Sequence, residues 1–458
     1  MQFSNDPGGR RGAMIALVLV LLAAAPAAAQ LPGGGLPDLP GTGGGLPNLP
    51  AGGGLPQTPG ALPGEVGGRL GRGLDAADPV GRVSELTTQR VEQLRELVRR
   101  NPRELDVDDR GSPVVRAQIL AVEPTPRSLA IAEGLGFRLL RRESEGIEVV
   151  VLSPPAGLDV RRALKRLRKA DPAGDYDYNH LYSGAGEAAG AARPGPVLAG
   201  AGFQASGAGL RIGLVDTGVD PRHPALAGAR IEQRPFAPGG LRPAAHGTAA
   251  ASLLAGRDGG FRGAAAGAQV LVADVYGTGP TGGSADAVAR ALGWLGAAGV
   301  PVINISLVGP QNAVVRAMVR RLSARGVILV AAVGNDGPAA QPLYPAAWPE
   351  VVAVTGVDRR DRVLPEACRG PHLDFAAPGS DMAAGRPGGG YATVRGTSFA
   401  APLVAGRLAI LRRQLTPEQA IAALGREARD LGQKGPDKVY GRGLVAADLR
   451  MAPPAARK

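Results

Sequence analysis

The sequence predicts an α/β fold, a mostly parallel sheet covered by helices on both faces, preceded by a small α+β module. Three observations carry this. From residue 210 to 450, short apolar runs such as Arg211–Val215, Val270–Val275, Val300–Ile305 and Val327–Val333 read as strands buried on both faces. Helical stretches, Ser284–Ala297 and Ala313–Ser323, separate them, and strand–helix alternation produces parallel sheets. Upstream, a shorter set of elements has its own order and its own apolar faces.

The chain begins with Arg10-Arg11, an apolar run from Ala13 to Ala25, and Pro26-Ala27-Ala28-Ala29, which together read as a signal peptide over residues 1–29. The run is short for a bilayer and Pro26 interrupts it. Export to the periplasm or the cell exterior is therefore expected over an uncleaved membrane anchor. Residues 30–80 are rich in Gly and Pro, and the Gly33–Pro37 pattern returns at Gly43–Pro47 and Gly52–Pro56. Such a segment has too few bulky side chains to offset chain entropy and reads as a tether without chemistry.

Residues 81–182 hold a helix (Val83–Arg100), then strand, helix, strand, strand, helix and an edge strand through Tyr176–Tyr182. That order predicts a ferredoxin-like split βαβ unit. Residues 183–209, again rich in Ala and Gly, read as a second linker, residues 210–450 as the main domain and 451–458 as a tail.

Composition removes several functions. A hydrophobic share of 44% is ample for a large core, whereas 70 Gly and 41 Pro, about a quarter of the 458 residues, require a non-globular segment. The net charge of +12 raises the question of nucleic acid, but no basic recognition helix, zinc-ligand spacing or basic–aromatic interleaving accompanies it. The single cysteine, Cys368, excludes an internal disulfide and a cysteine-rich metal site. The loop Gly277–Gly282 fits a dinucleotide fingerprint, yet the next strand ends in Asn304-Ile305-Ser306 without the acidic ribose partner. It reads as the rim of a cleft.

The chemistry concentrates in four short words. Ser398 sits in Gly396-Thr397-Ser398-Phe399-Ala400-Ala401-Pro402, between a turn and an apolar helix whose free N–H groups face a developing oxyanion. A serine hydroxyl needs a base, and imidazole suits because its unperturbed pKa is near 6.5. A carboxylate must fix the imidazole's tautomer. Of the four histidines, His223 lies in a proline-flanked turn, His180 in the upstream module and His372 beside Pro371 in a loop. His246 leads straight into a small-residue helix, and Asp216 ends the first strand of the main domain. Asp216, His246 and Ser398 are the candidate catalytic residues.

Val215-Asp216-Thr217-Gly218, His246-Gly247-Thr248, Ala332-Val333-Gly334-Asn335 and the Ser398 segment, in that order, resemble the subtilisin-like serine peptidases. The resemblance implies a subtilisin-like fold over about 210–449, with Asp216 as orienter, His246 as general base and then acid, and Ser398 as nucleophile. It implies Asn335 as oxyanion donor, and an extended polypeptide substrate laid along Ser306, Leu307 and Val308, with Gly277, Gly279 and Gly334 lining the cleft. Val308 stands where the family often has glycine, which implies a narrower pocket. The segment after the His246 helix, residues 255–266, lacks the insertion that carries calcium in many relatives. No metal site and no required cofactor are therefore implied, with calcium elsewhere left open. The upstream module resembles the family's propeptide, an intramolecular chaperone and inhibitor, in a chain expected to be a monomer. Two other readings compete: a catalytically inactive secreted binding scaffold, and an envelope-associated structural protein.

Overall fold

The computed structural model describes residues 92–185, 187–191 and 206–450. The expected signal peptide, the Gly/Pro-rich tether, the start of the first helix, most of the second linker and the tail lie outside the described residues.

The upstream module comprises helix α1 (residues 92–100), β1 (Leu105–Val107), β2 (Pro113–Val122), α2 (Pro126–Gly134), β3 (Arg138–Glu143), β4 (Val149–Ser153), α3 (Val160–Ala170) and β5 (Asp175–His180). Its antiparallel strands lie in the order β1-β2-β4-β3, with β5 on β2. The helices start where side chains replace missing backbone partners. Thr125 accepts from the Ser128 N–H, and Asp159 from those of Arg161 and Arg162. Strand β4 is buried at every position and apolar through Leu152, because both its faces are covered. Val150 and Leu152 pack with Leu164 and Leu167 of α3 inside the module. Val149 and Val151 point the other way, into the core of the main domain.

The main domain is built on seven parallel strands in the order β17-β16-β15-β13-β8-β12-β9. These are β8 (Arg211–Asp216), β9 (Arg230–Pro235), β12 (Gln269–Asp274), β13 (Val302–Ile305), β15 (Ile328–Ala332), β16 (Val351–Val357) and β17 (Phe375–Pro378). Helices α4 (Ala245–Ala255) and α7 (Thr397–Leu411) cover one face, burying Leu214, Val272, Val330 and Val354. Helices α5 (Ala285–Ala297) and α6 (Ala313–Ala324) cover the other, over Val215, Leu271, Ile303 and Leu329. Neighbouring residues of each strand thus enter opposite cores, the physical origin of the unbroken apolar runs. Helix α8 (Pro417–Glu427) packs beside α7 and opens with a capping box between Thr416 and Gln419.

Several elements had no sequence signal. The edge strand β9 reads Arg-Ile-Glu-Gln-Arg-Pro and is largely solvent-facing, so its apolar content is too low to announce it. A short hairpin, β10 (Arg257–Asp258) with β11 (Phe261–Arg262), follows α4. Another joins β18 (Ser380–Gly385) to β19 (Tyr391–Arg395), the strand that runs into α7. The head of the presumed second linker is extended chain held by the main domain. Strand β6 (Ser183–Gly184) pairs antiparallel with β14 (Leu307–Val308), and β7 (Glu187–Ala191) with β19. Ser-Gly-Ala and Glu-Ala-Ala-Gly-Ala lack both bulk and periodicity, so partner strands rather than local propensity set their conformation.

Candidate active site

Asp216 is the last residue of β8, at the carboxyl edge of the parallel sheet where groups from different strands converge. His246 lies in the first turn of α4 and Ser398 in the first turn of α7. His246 Nδ1 is 2.8 Å from Asp216 Oδ1 and 3.0 Å from Oδ2. Its Nε2 is 2.9 Å from Ser398 Oγ. A carboxylate only accepts, so Nδ1 carries the proton, and bare Nε2 accepts from the serine hydroxyl. Acid, imidazole and alcohol therefore form one continuous hydrogen-bonded line.

The residues flanking these three hold the line in place. The Thr217 N–H donates to Asp216 Oδ1 at 2.7 Å, and Thr217 Oγ1 accepts from the Gly247 N–H at 2.9 Å. Strand β8 and helix α4 are thereby tied together at the pair. Phe399 lies against the imidazole, ring centres 5.2 Å apart. Gly396 adopts φ +136°, the unusual angle its turn was expected to need. Pro402, inside α7, has no N–H for the carbonyl of Ser398 four residues earlier. That carbonyl is satisfied by Ser306 Oγ at 3.0 Å, and Ser306 Oγ in turn accepts from Asn304 Nδ2 at 2.7 Å. The helix-breaking residue thus frees the Ser398 carbonyl for a fixed side-chain partner.

Asn335 follows β15 and faces Ser398. Its Oδ1 accepts from the Thr397 N–H at 3.1 Å, which leaves Nδ2 as the donor aimed at the cleft. The Gly334 N–H donates to Thr397 Oγ1 at 3.2 Å and pins the loop that carries Asn335. Electrostatically the carboxyl edge is crowded. Asp274, one strand over, is held above the usual carboxylate range by burial, reinforced by the Asp216 charge and opposed by the N–H groups of Gly277, Tyr276 and Arg242.

The cleft is filled by the chain itself. The Ala185 carbonyl accepts from the Ser398 N–H at 3.0 Å and from Asn335 Nδ2. The Ala185 N–H donates to the Ser306 carbonyl at 3.3 Å, and the Tyr182 N–H to the Gly283 carbonyl at 2.8 Å. Leu307 stands opposite Gly184 and Val308 opposite Ser183. Tyr182 is buried, with its hydroxyl donating to the Pro310 carbonyl at 3.0 Å. Its ring occupies space that Gly309 leaves, since a methyl there would lie 2.7 Å from a ring carbon. Ser398 has no exposed surface beneath this segment.

Of the residues read from sequence, the structure brings together Asp216, His246, Ser398 and Asn335, and sets Ser306, Leu307 and Val308 against residues 183–185. Gly334 is placed behind the cleft, beside Leu343 and Cys368. Gly277 faces the Pro238 carbonyl, and Gly279 has open space where a side chain would stand. The contact on that rim is made by Gly283. Gly283, Gly309 and Pro310, at the ends of the two cleft segments, act through backbone carbonyls or an absent side chain and have no chemical signature of their own. Among the described residues no three or more His, Cys, Asp or Glu side chains are grouped to hold a metal, and no helix is long and apolar enough to cross a membrane.

Comparison with known proteins bears on the fold and the family. Residues 207–443 match the Subtilase family. Subtilisin Savinase of Lederbergia lenta is 32% identical over 250 residues, 53% of this chain and 91% of its own length. An alkaline protease of Alkalihalobacillus alcalophilus is also 32% identical over 250 residues, but these make up 64% of its length. The crystal structure of fervidolysin from Fervidobacterium pennivorans, a keratinolytic enzyme related to subtilisin, superposes with a TM-score of 0.64. At 23% identity, covering 75% of this chain and 62% of that one, it shows the fold. The parallel sheet and the match across the domain that carries the site lead to one assignment: the chain belongs to the subtilase family of serine endopeptidases.

Proposed function

We propose that this chain is an exported serine endopeptidase made as a self-inhibited precursor, with Ser398 as nucleophile and the bond from Ala185 to Gly186 as its maturation site. In this reading Ser398 Oγ attacks the substrate carbonyl while His246 Nε2 takes its proton. Asp216, bound to Nδ1, holds the tautomer and stabilises the imidazolium. The tetrahedral oxyanion is met by the Ser398 N–H and Asn335 Nδ2. His246 then returns the proton to the leaving amine, and water hydrolyses the acyl-enzyme by the same steps in reverse roles. The chemistry calls on side chains and backbone alone, without a cofactor.

The observation that carries the reading is the Ala185 carbonyl, held by the two donors that an oxyanion would use. A peptide bond so placed is a substrate's. Its register supports a preference for a small residue before the cut and for an aromatic residue three positions earlier, where Tyr182 fills its pocket. The residues upstream of the cut then remain as product and occupy the unprimed side, which supports an inhibitory role for the module. Export rests on the residue 1–29 pattern. In Ser398→Ala the full chain should stay intact, whereas the wild type should yield a species whose first residue is Gly186, read by N-terminal sequencing. Identical lengths for the two proteins would sink the self-processing reading. A purified wild-type protein that ignores a fluorophosphonate probe would instead favour the inactive scaffold.

A further inference from the structure

Helix α3 divides its residues between two surfaces. Val160, Ala163, Leu164 and Leu167 are buried against the module's sheet. Every outward residue from Arg161 to Lys169 is a cation: Arg161, Arg162, Lys165, Arg166, Arg168 and Lys169 are all exposed, and no acid interrupts them. Neutralisation is confined to the margins. Asp159 lies 3.6 Å from Arg161 and 3.3 Å from Arg162, and Asp177 lies 3.7 Å from Arg168. Lys165, Arg166 and Lys169 have no ion-pair partner among the described residues. Like charges stand four residues apart at Arg161 and Lys165, Arg162 and Arg166, and Lys165 and Lys169, a spacing that opposes helix formation. The face is thus stocked with charge that the fold itself does not use.

It also looks away from the rest of the molecule. The main domain covers the opposite face of the module's sheet, where Val149 and Val151 enter its core. Apolar surface lies on the side of α3. Leu139 stands opposite Leu152, which packs with Leu164 and Leu167, and so shares the sheet face that α3 covers. It is 50% exposed, and Leu140, at the irregularity that follows it, is 47% exposed. Cations together with exposed leucines match anionic head groups over an apolar interior. A soluble polyanion would offer the leucines nothing. Helix α3 has no aromatic side chain on which a nucleic-acid base could stack.

We propose that the outer face of α3, with Leu139 and Leu140, docks this chain on the surface of an anionic phospholipid bilayer. Lys165, Arg166 and Lys169 supply the charge that is not already paired. Docking of this kind is independent of the peptidase chemistry and gives the module a task besides occupying the cleft.

The test uses the Ser398→Ala chain from Gln30 to Lys458, which keeps the module attached and lacks the apolar run of residues 13–25. Binding is read by co-sedimentation with vesicles of phosphatidylcholine, alone or mixed with phosphatidylglycerol. The chain should bind the anionic vesicles and not the neutral ones, and binding should fade as added salt shortens the screening length. Lys165→Gln, Arg166→Gln and Lys169→Gln should each weaken the affinity about fivefold, and all three together about a hundredfold. Leu139→Ser with Leu140→Ser should weaken it about tenfold. Equal binding to both kinds of vesicle, or an unaltered affinity in the triple variant, would overturn the proposal. Tighter binding to a DNA fragment than to anionic vesicles at the same salt would overturn the bilayer as occupant. Should the triple variant fail to fold, the three single substitutions decide.

Discussion

Among the described residues two buried histidine–aspartate pairs each have an asparagine nearby, and their imidazoles face different groups. In the main domain, Asp216 takes one imidazole nitrogen of His246, the other meets Ser398 Oγ, and Asn335 points past them at a carbonyl. In the module, Asp108 Oδ2 lies 3.2 Å from His180 Nε2, and His180 Nδ1 is 3.0 Å from Asn312 Nδ2. Asn312, the N-cap of α6, also donates to the Tyr178 carbonyl at 2.9 Å and so ties the module to the main domain. Burial raises the Asp108 carboxyl, but hydrogen bonds from His180, Ser112 and Arg110 outweigh it and hold it below its ordinary range. The Asn312 amide nitrogen donates hydrogen bonds, but its lone pair is delocalised into the carbonyl and it is no nucleophile. The carboxylate–imidazole pair is therefore common to both, and what differs is the group the second nitrogen faces: a hydroxyl at the proposed catalytic site, an amide at the module's contact.

Removing the two imidazoles separates these roles most widely. His246→Ala should lower kcat by a factor on the order of 10⁶, a scale known from subtilisin rather than obtained from this chain. His180→Ala should leave the mature enzyme's kcat/KM within about twofold of wild type. A comparable loss in both, measured on a peptide substrate after maturation, would break the distinction.

The two asparagines give the next contrast. Asn335→Ala removes a donor to the developing oxyanion and should cost on the order of 10²–10³ in kcat with little change in KM, again a scale set by subtilisin itself. Asn312→Ala removes a helix cap and a bridge to the module. Its expected effect is on the full-length chain, where the lag before activity appears should shorten about tenfold. A buried hydrogen-bonding group left unpaired costs about 1–3 kcal/mol, which is the scale of that change. If Asn312→Ala instead slowed turnover in the mature enzyme, α6 would have a part in the site that the geometry does not suggest.

The first constellation was legible in the sequence and the second was not. Asp216, His246, Asn335 and Ser398 each sit in a short word whose other residues have fixed work: Thr217 and Gly247 tie β8 to α4, Thr397 pins the Asn335 loop, and Pro402 frees the Ser398 carbonyl. Such words survive as recognisable strings. His180, Asp108 and Asn312 are scattered singly, and each alone reads as an ordinary polar residue on a strand, in a turn or at a helix cap. The sheet was legible for a related reason, since strands buried on both faces write unbroken apolar runs. The exposed β9 and the small-residue β6 and β7 write nothing comparable. Their structure is borrowed from partner strands, and the segment in the cleft was accordingly read as the head of a linker.

The smallest expected effect sharpens the docking side of the comparison. Asp286, at the start of α5, accepts from Asn179 Nδ2 at 2.7 Å and pairs with Arg141, both of the module, and its N–H donates to Asn179 Oδ1 at 3.2 Å. Burial works to raise this carboxyl, but the charge of Arg141, the Asn179 hydrogen bond and the charge of Arg290 prevail and hold it below its ordinary 3.8. Arg141 and Asn179 are lost on undocking, so the undocked carboxyl titrates higher than the docked one. A group depressed in the bound state strengthens docking fully above its unbound pKa and loses that contribution as pH falls through the lowered, bound value. Release of the cleaved module should therefore quicken by a factor of a few between neutral pH and pH below about 4, followed by the recovery of peptidase activity after an acid pulse. Asp286→Asn should release the module faster at neutral pH and show a shallower acid dependence. An unchanged acid dependence in that variant would show that Asp286 is not the group that senses pH.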